Sequence, residues 1–335
     1  MQYLDEEKVR KLLTYETLIP AVERALTNLS TGKIQQPVRT VLRIPEPGTD
    51  RTGTTPPAAP RSPLPAPSFE LPASSTQHPR GFFALMPAVD QDLMGVKLVT
   101  FYERNVTQPT HQAVIQLFSA ATGEPLVAMD GRLITEMRTA AVSAIATRLF
   151  APHEAGTLAG TLAILGSGIQ ARSHLEALRH VRTFQQIRVW SRTPANAQRF
   201  ASESNAIAVP TAEAAVRGAD VVLSLASVRE PLIHGAWLGP NTLVCAVATV
   251  TPDRRELDDE AMNAAVVVES REAALRESGD IIASGQPICA EIGEILAGSQ
   301  PFPTGRVVFK SLGVAACDLA AAGVVWRASQ NGASA

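Results

Sequence analysis

Apolar positions change their spacing twice along the chain. Over the first thirty residues Leu18, Val22, Ala25, Leu26 and Leu29 recur at helical intervals and Gly32 is a natural stop, which predicts helix. From residue 35 the pattern becomes short β-branched and aromatic runs. Residues 35–44, 81–89, 95–103 and 111–120 read as strands, and 122–131 as a turn, a strand and another turn. The strands flanking residues 46–80 are placed to pair as a hairpin. Residues 138–150 read as a helix, small and apolar on most sides and opened by Arg138. From about residue 157, apolar runs (TLAIL, IRVW, 220–226, 242–249, 265–270) alternate with amphipathic helices, one running to His180 and one starting at Pro194. That alternation predicts a doubly wound parallel sheet. RVVFKSLG (306–313) and a helix from Val314 to about Arg327 complete the chain.

Composition narrows the class. The chain has 335 residues, room for about two domains, with 45 % hydrophobic and 19 % charged residues, which excludes a disordered chain. A net charge of −2 gives nucleic acid or an anionic membrane no global attraction. Three scattered cysteines, Cys245, Cys289 and Cys317, argue against a disulfide framework and for a reducing, cytoplasmic setting. The charged start lacks a signal peptide's apolar core, and no run approaches a membrane span. Ten of the 24 prolines fall between Pro45 and Pro79, so residues 46–80 are expected to form a flexible insertion. The six histidines show no metal-ligand spacing, and no metal site is expected.

One motif carries cofactor chemistry. Gly166-x-Gly168-x-x-Ala171 follows a predicted strand and opens a predicted helix. Gly166 serves the tight turn, Gly168 the close approach of a pyrophosphate and Ala171 the helix–strand packing. At the end of the next strand, where an NAD site carries an acid, stands Ser191-Arg192-Thr193. A carboxylate would repel a ribose 2′-phosphate, whereas Arg192 can pair with it and the two hydroxyls can donate to it. This favours NADPH, with NADH the weaker cofactor; the plain alternative is a solvated arginine before a helix cap.

The segments QPVRTV, MPA, KLVTFYE, HQAVIQLF, MDG, MRTAAVSAIAT, GSGIQARSH, WSRTPANAQRF, RELDDE, REAALRESGD and FKSLG occur in this order. Together they resemble the ornithine cyclodeaminase/mu-crystallin family, in particular its NADPH-dependent ketimine reductases, over nearly the whole chain outside residues 46–80. The resemblance implies an α/β homodimer in which a Rossmann domain is nested in a discontinuous α+β substrate and dimerisation domain. The expected boundaries are 1–138 for the substrate domain, 139–305 for the Rossmann domain and 306–335 for a segment returning to the first. It implies that Arg39, Lys97 and Arg138 hold the carboxylate of a small cyclic imino acid or keto acid. Around the cofactor it implies Arg138, Thr139, Gly168, Ile169, Gln170, Ser191, Arg192, Thr193 and Asn196, with Ala226, Ser227, Val247 and Ser311 as further contacts. Cyclodeaminases carry an aspartate in a GGDCPGKTEL-like segment; this chain reads ATVTPDRREL, with aliphatic Val250 at that place and Asp253 offset from it. An aliphatic group cannot act as a base, which disfavours cyclodeamination.

Reduction of a cyclic ketimine such as piperideine- or pyrroline-2-carboxylate needs hydride at carbon and a proton at nitrogen. Guanidinium groups suit the carboxylate, while a cationic trio disfavours a protonated imine beside it. The nitrogen is therefore expected near a carboxylate such as Asp253, Glu103 or Glu272, and Lys97 is counted with these as catalytic. Alternatively Arg39 and Lys97 face solvent from their strands. A cation opening a helix is unfavourable without an anion nearby, which points Arg138 toward a ligand. His111 reads equally as a substrate contact and as a structural histidine. Two other functions remain open: an alanine-dehydrogenase-like oxidoreductase, and a protein that binds a hydrophobic acid of the thyroid-hormone type without turnover.

Overall fold

The computed structural model describes residues 2–45, 80–152 and 159–332. The expected flexible insertion, residues 46–80, lies outside these except for Arg80. The first thirty residues are not one helix. A short strand β1 (Gln2–Leu4) precedes α1 (Glu6–Leu12), started by the Asp5 carboxylate accepting from the Lys8 amide, and α2 (Tyr15–Ser30) follows an extended Leu13–Thr14 step. The strands β2 (Thr40–Ile44), β3 (Gly81–Val89), β4 (Leu93–Phe101), β5 (His111–Ser119) and β6 (Pro125–Asp130) then form a six-stranded sheet in the order β1-β6-β5-β4-β3-β2. All its pairs are antiparallel except β1 with β6, and β2 pairs with β3 as the expected hairpin, Thr40 opposite Leu85. One face buries Ala84, Met86, Lys97, Ile115, Leu117 and Met129.

The helix expected from Arg138 begins six residues earlier. Asp130 accepts from the Arg132 and Leu133 amides and starts α3 (Arg132–Phe150). Arg138 therefore sits in the second turn, where the charge argument for a first-turn cation does not apply. Residues Ala140 to Ala146 are wholly buried, because α3 packs on α2, on β5 and on helices of the second half. Small side chains let it approach all of them. The helix runs unbroken through the expected boundary at 138/139.

The second half is an eight-stranded, all-parallel sheet. Its strands are β7 (Ala159–Leu165), β8 (Phe184–Trp190), β9 (Ile207–Ala208), β10 (Val221–Ser224), β11 (Leu243–Ala246), β12 (Ala265–Val268), β13 (Ile288–Glu291) and β14 (Val307–Lys310). They are wound by α4 (Ile169–Arg179), α5 (Pro194–Ser204) and the short helices α6 (Ala212–Val216), α7 (Asp259–Met262), α8 (Arg271–Glu277), α9 (Gly279–Ser284) and α10 (Ile292–Leu296). The order β13-β12-β14-β11-β10-β7-β8-β9 reverses direction between β7 and β10, the switch point where doubly wound sheets bind ligands. Residues 306–335 were expected to return together to the first half. Only α11 (Ala315–Gly332) does so, packing on α2, α3 and β4, while β14 is inserted between β11 and β12. Its four residues are buried, which rewards a central position. Among the described residues no helix is long and apolar enough to cross a membrane.

Candidate active site

The glycine loop forms as its spacing requires. Gly166 leaves β7 at φ +120°, and a Cβ there would lie 2.9 Å from the Leu225 carbonyl carbon, so the turn after β7 can meet the turn after β10 only through glycine. Gly168 caps α4 with no side-chain hydrogen bond, and a Cβ on it would meet nothing within 4 Å. The α4 amides therefore open onto free space, the arrangement that accepts a pyrophosphate. Ala171 is buried and lets α4 lie on the sheet. Ile169 is half-exposed beside the loop, while Gln170 buries its side-chain oxygen with no partner. At the end of β8, Ser191 is half-buried and Arg192 and Thr193 are exposed. Arg192 has no partner among the described residues, and Asn196 accepts from Arg199. Ala226 and Ser227 follow β10 and Val247 follows β11, all at the same edge of the sheet. These residues fit a dinucleotide, and the end of β8 carries Ser191-Arg192-Thr193 with no acid at the ribose position.

The cationic trio is only partly as expected. Lys97 and Arg138 do not face solvent: they are 3 % and 4 % exposed and converge from β4 and α3 on one carboxylate, Asp318 of α11. Asp318 Oδ2 lies 2.8 Å from Lys97 Nζ, and Arg138 Nε donates to Asp318 Oδ1 at 2.9 Å. Burial and the two neighbouring guanidiniums outweigh Asp318 and bring Lys97 down to about 8. For Asp318 the balance is opposite: burial disfavours its charge, but Arg138 and Lys97 hold the carboxyl below its ordinary range. Only the Nε edge of Arg138 is engaged by Asp318, and its terminal amino groups have no acceptor among the described residues. They lie against Gly313, where φ is +77° and a Cβ would sit 2.6 Å from Nη1. His111 at the start of β5 is pushed down to about 4 by burial, then by Lys97 and Arg138. The neighbouring Thr139 is buried and its hydroxyl donates back to the Thr135 carbonyl.

Arg39 reaches the same place from the segment before β2. It donates to the Leu312 and Gly313 carbonyls, 2.6 and 2.9 Å away, and pairs with Glu277 of α8 at 3.0 Å. The turn after β14 is thus held from both halves. Glu269 completes it, accepting from the Ser311 hydroxyl and from the Leu312 and Gly313 amides.

Of the three carboxylates expected near the imine nitrogen, Glu272 does not join the cluster. It is exposed on α8 and pairs with Arg276 at 3.1 Å; from this helix it is Glu277 that turns to Arg39. Glu103 and Asp253 are exposed and do not reach the Lys97–Arg138–Asp318 contacts. Arg254, next to Asp253, spans the two halves, 3.4 Å from Glu103 and 3.4 Å from the Ser227 hydroxyl. The turn that carries Val250, Asp253 and Arg254 is fixed at its base by a second buried cluster. Lys310 Nζ lies 2.6 Å from Glu256 and 3.0 Å from Asp280, while Glu256 accepts from the Ala248 and Thr249 amides.

Sequence reasoning did not find Asp318, Glu269, Glu277 or the Lys310 cluster. Asp318 had a readable signal: it is the one charged residue between Val314 and Trp326, in a run of small apolar residues. A carboxylate there is buried when the helix packs, and a buried carboxylate needs cations. Glu269 and Glu277 carry no such mark.

Comparison with known proteins agrees with this geometry. A sequence model described as the ornithine cyclodeaminase/mu-crystallin family matches residues 66–332. The chain belongs to that family. It is 40 % identical over 342 residues to the ketimine reductase mu-crystallin of Mus musculus, covering 98 % of each chain. Among solved members of the fold, the Thermococcus litoralis Δ1-pyrroline-2-carboxylate reductase, in complex with NADH and L-proline, superposes with a TM-score of 0.83. It is 30 % identical and aligns over 99 % of this chain and 98 % of its own. An archaeal alanine dehydrogenase dimer with bound NAD also gives 0.83, at 26 % identity over 99 % and 97 % of the two chains. The family therefore pairs a parallel nucleotide-binding sheet with a mixed sheet, as found here.

Proposed function

We propose that this chain is an NADPH-dependent reductase of cyclic ketimines such as piperideine-2-carboxylate and pyrroline-2-carboxylate. The observation that carries the reading is the Lys97–Asp318–Arg138 cluster: two buried cations, one internal carboxylate and an arginine whose terminal amino groups have no acceptor among the described residues. A buried guanidinium edge of this kind suits a planar carboxylate. The similarity to the mouse ketimine reductase and to a pyrroline-2-carboxylate reductase complexed with L-proline supports the same substrate class.

A nicotinamide cofactor, when bound, would supply the hydride. The α4 amides and Gly166–Gly168 would hold its pyrophosphate, and Arg192 with Ser191 and Thr193 would hold a 2′-phosphate. Two solved relatives carry NADH and NAD; the preference for the phosphorylated cofactor rests on Arg192, which has no partner among the described residues, and on the missing acid after β8. Arg138, assisted by Arg39, orients the substrate carboxylate. Lys97, at about 8, holds a proton at neutral pH that it can give up. Asp253 and Glu103 are exposed beside Arg254, and Val250 offers no base for deamination.

The experiment is NADPH oxidation with each cyclic imine. Turnover is expected, with pyruvate plus ammonia a poor substrate pair; the reverse result transfers the chain to the alanine dehydrogenase reading that the archaeal structure favours. A homodimer forms through the outward face of the mixed sheet, where Leu42, Phe83, Leu85, Leu98 and Val114 lie opposite one another on neighbouring strands and remain partly exposed. Light scattering at twice the 35.6 kDa chain mass is the expected result. Three free cysteines fit a reducing, cytosolic setting.

A further inference from the structure

Among the described residues Asp318 is the one carboxylate that touches two of the three cations, and it is 2 % exposed. It stands on α11, whereas Lys97 stands on β4 and Arg138 on α3, so three elements of the first half meet at its two oxygens. We propose that Asp318 is a positioning residue for imine reduction: its shared carboxylate fixes Lys97 beside Arg138 and keeps Lys97 protonated, which makes Lys97 the acid that serves the imine nitrogen. The inference rests on the reductase reading above.

The substrate's own chemistry explains why one cluster serves both ends. In a cyclic ketimine acid the nitrogen and the carboxylate are attached to the same carbon, so both lie on one edge of the ring. With the carboxylate on the Arg138 amino groups, the nitrogen falls within reach of a second cation fixed beside that guanidinium. A trio of bare cations would repel a protonated imine. Asp318 removes part of that repulsion and so makes the cluster compatible with the charge that develops at nitrogen. The step balances: the nitrogen takes a proton from the Lys97 ammonium and the ring carbon takes a hydride from NADPH. The C=N π bond is lost, one N–H and one C–H bond form, NADP+ leaves, and the Lys97 amine recovers a proton from water.

The groups facing Lys97 are Asp318 and Cys317 on α11, Arg138 on α3, Arg39 before β2 and His111 on β5. Of these, Asp318 is the carboxylate; burial, Arg138 and Arg39 all favour the neutral amine. Removing the Asp318 charge therefore strips Lys97 of its proton at a lower pH. A general acid is active below its pKa, so the alkaline limb of the rate profile must move to lower pH with it.

The test compares wild type, Asp318→Asn and Asp318→Glu, each checked for folding by circular dichroism and for NADPH binding by fluorescence. Wild-type kcat for piperideine-2-carboxylate is expected to fall above pH 8. Asp318→Asn is expected to shift that limb down by more than one pH unit. Asp318→Glu is expected to keep the limb in place but lower kcat at least tenfold, since the longer side chain displaces both cations. A merely structural aspartate would lower the rates and leave the limb where it was, and that outcome overturns the proposal. Where Asp318→Asn does not fold, Asp318→Glu decides: a kcat equal to wild type sinks it. The Lys97 side-chain carbon resonance, assigned by its loss in Lys97→Arg, gives a readout independent of substrate. Its titration moves down in Asp318→Asn or the proposal fails. Absence of wild-type turnover with any cyclic imine removes the reductase reading itself, which the resonance does not depend on.

Discussion

Two lysines in this molecule are buried almost completely, and they have opposite surroundings. Lys310 is held between Glu256 and Asp280 with the Thr249 hydroxyl as a third oxygen at 3.2 Å, so two carboxylates face one ammonium and burial fails to lower its pKa, which is raised. Lys97 has one carboxylate and two guanidinium neighbours, and it falls to about 8. Among the described residues two carboxylates pair with Lys310, whereas Lys97 shares its single carboxylate with Arg138. The saturated cluster belongs to the scaffold that fixes the 249–256 turn. The undersaturated one is poised for a carboxylate that arrives with the substrate. A count of acceptors around a buried cation thus separates structure from site more sharply than burial does.

The largest expected effect would break this contrast if it failed. Lys310→Met leaves Glu256 and Asp280 buried without their cation, at a cost of about 3–5 kcal/mol in folding free energy. Denaturant titration should show that loss in the midpoint. Lys97→Met leaves Asp318 still paired with Arg138, so its midpoint should move clearly less. Equal losses for the two variants would mean that both clusters are scaffold.

Activity should sort the same pair in the other direction. Lys97→Met removes a cation from the substrate's carboxylate and the proton from its nitrogen; truncating one partner of a buried charge pair costs about 2–5 kcal/mol. Turnover of a cyclic imine should fall by about thirtyfold or more, with NADPH affinity unchanged by fluorescence titration. A variant that turns over normally would show that Lys97 is not in the machinery.

The contrast also marks what could be read from the chain itself. The parallel sheet and the glycine loop were legible because their signals are local: four to eight apolar residues per strand, and three small residues at fixed spacing in front of one helix. Arg39, Lys97 and Arg138 were named through the family resemblance, and the structure does bring them into one region. Their carboxylates were not legible. Arg138 and Asp318 are 180 residues apart, and nothing in the spacing of either announces the other. The start of α3 was missed for a related reason, since the Asp130 side chain begins it from the preceding strand. Position of β14 was not legible either, because insertion between β11 and β12 is a property of the whole sheet.

Arg192 tests the cofactor half independently of both lysines. A charged hydrogen bond to phosphate is worth about 1.5–3 kcal/mol, so Arg192→Ala should lower kcat/KM for NADPH by about ten- to a hundredfold and hardly touch NADH. Equal losses with the two cofactors would remove the 2′-phosphate assignment and leave the glycine loop as the only supported contact.

The smallest effect concerns the histidine that reports on the same cations. Burial, Lys97 and Arg138 push His111 down to about 4 in the folded chain, against 6.5 when it is free. Between those values the unfolded chain binds a proton that the folded chain refuses, so stability falls as pH drops from about 6.5 toward 4. Buried His174, also brought down to about 4, acts in the same sense, so the two contributions must be separated by mutation. His111→Asn should make the protein less sensitive to acid by about 1 kcal/mol between pH 7 and 5. In a Lys97→Met background one of the three cations that depress His111, Lys97 beside Arg138 and Arg132, is gone. The gain from His111→Asn should then shrink, and denaturant midpoints at the two pH values measure it. A gain of the same size in both backgrounds would mean that His111 answers to burial alone and does not sense the charge of the cluster.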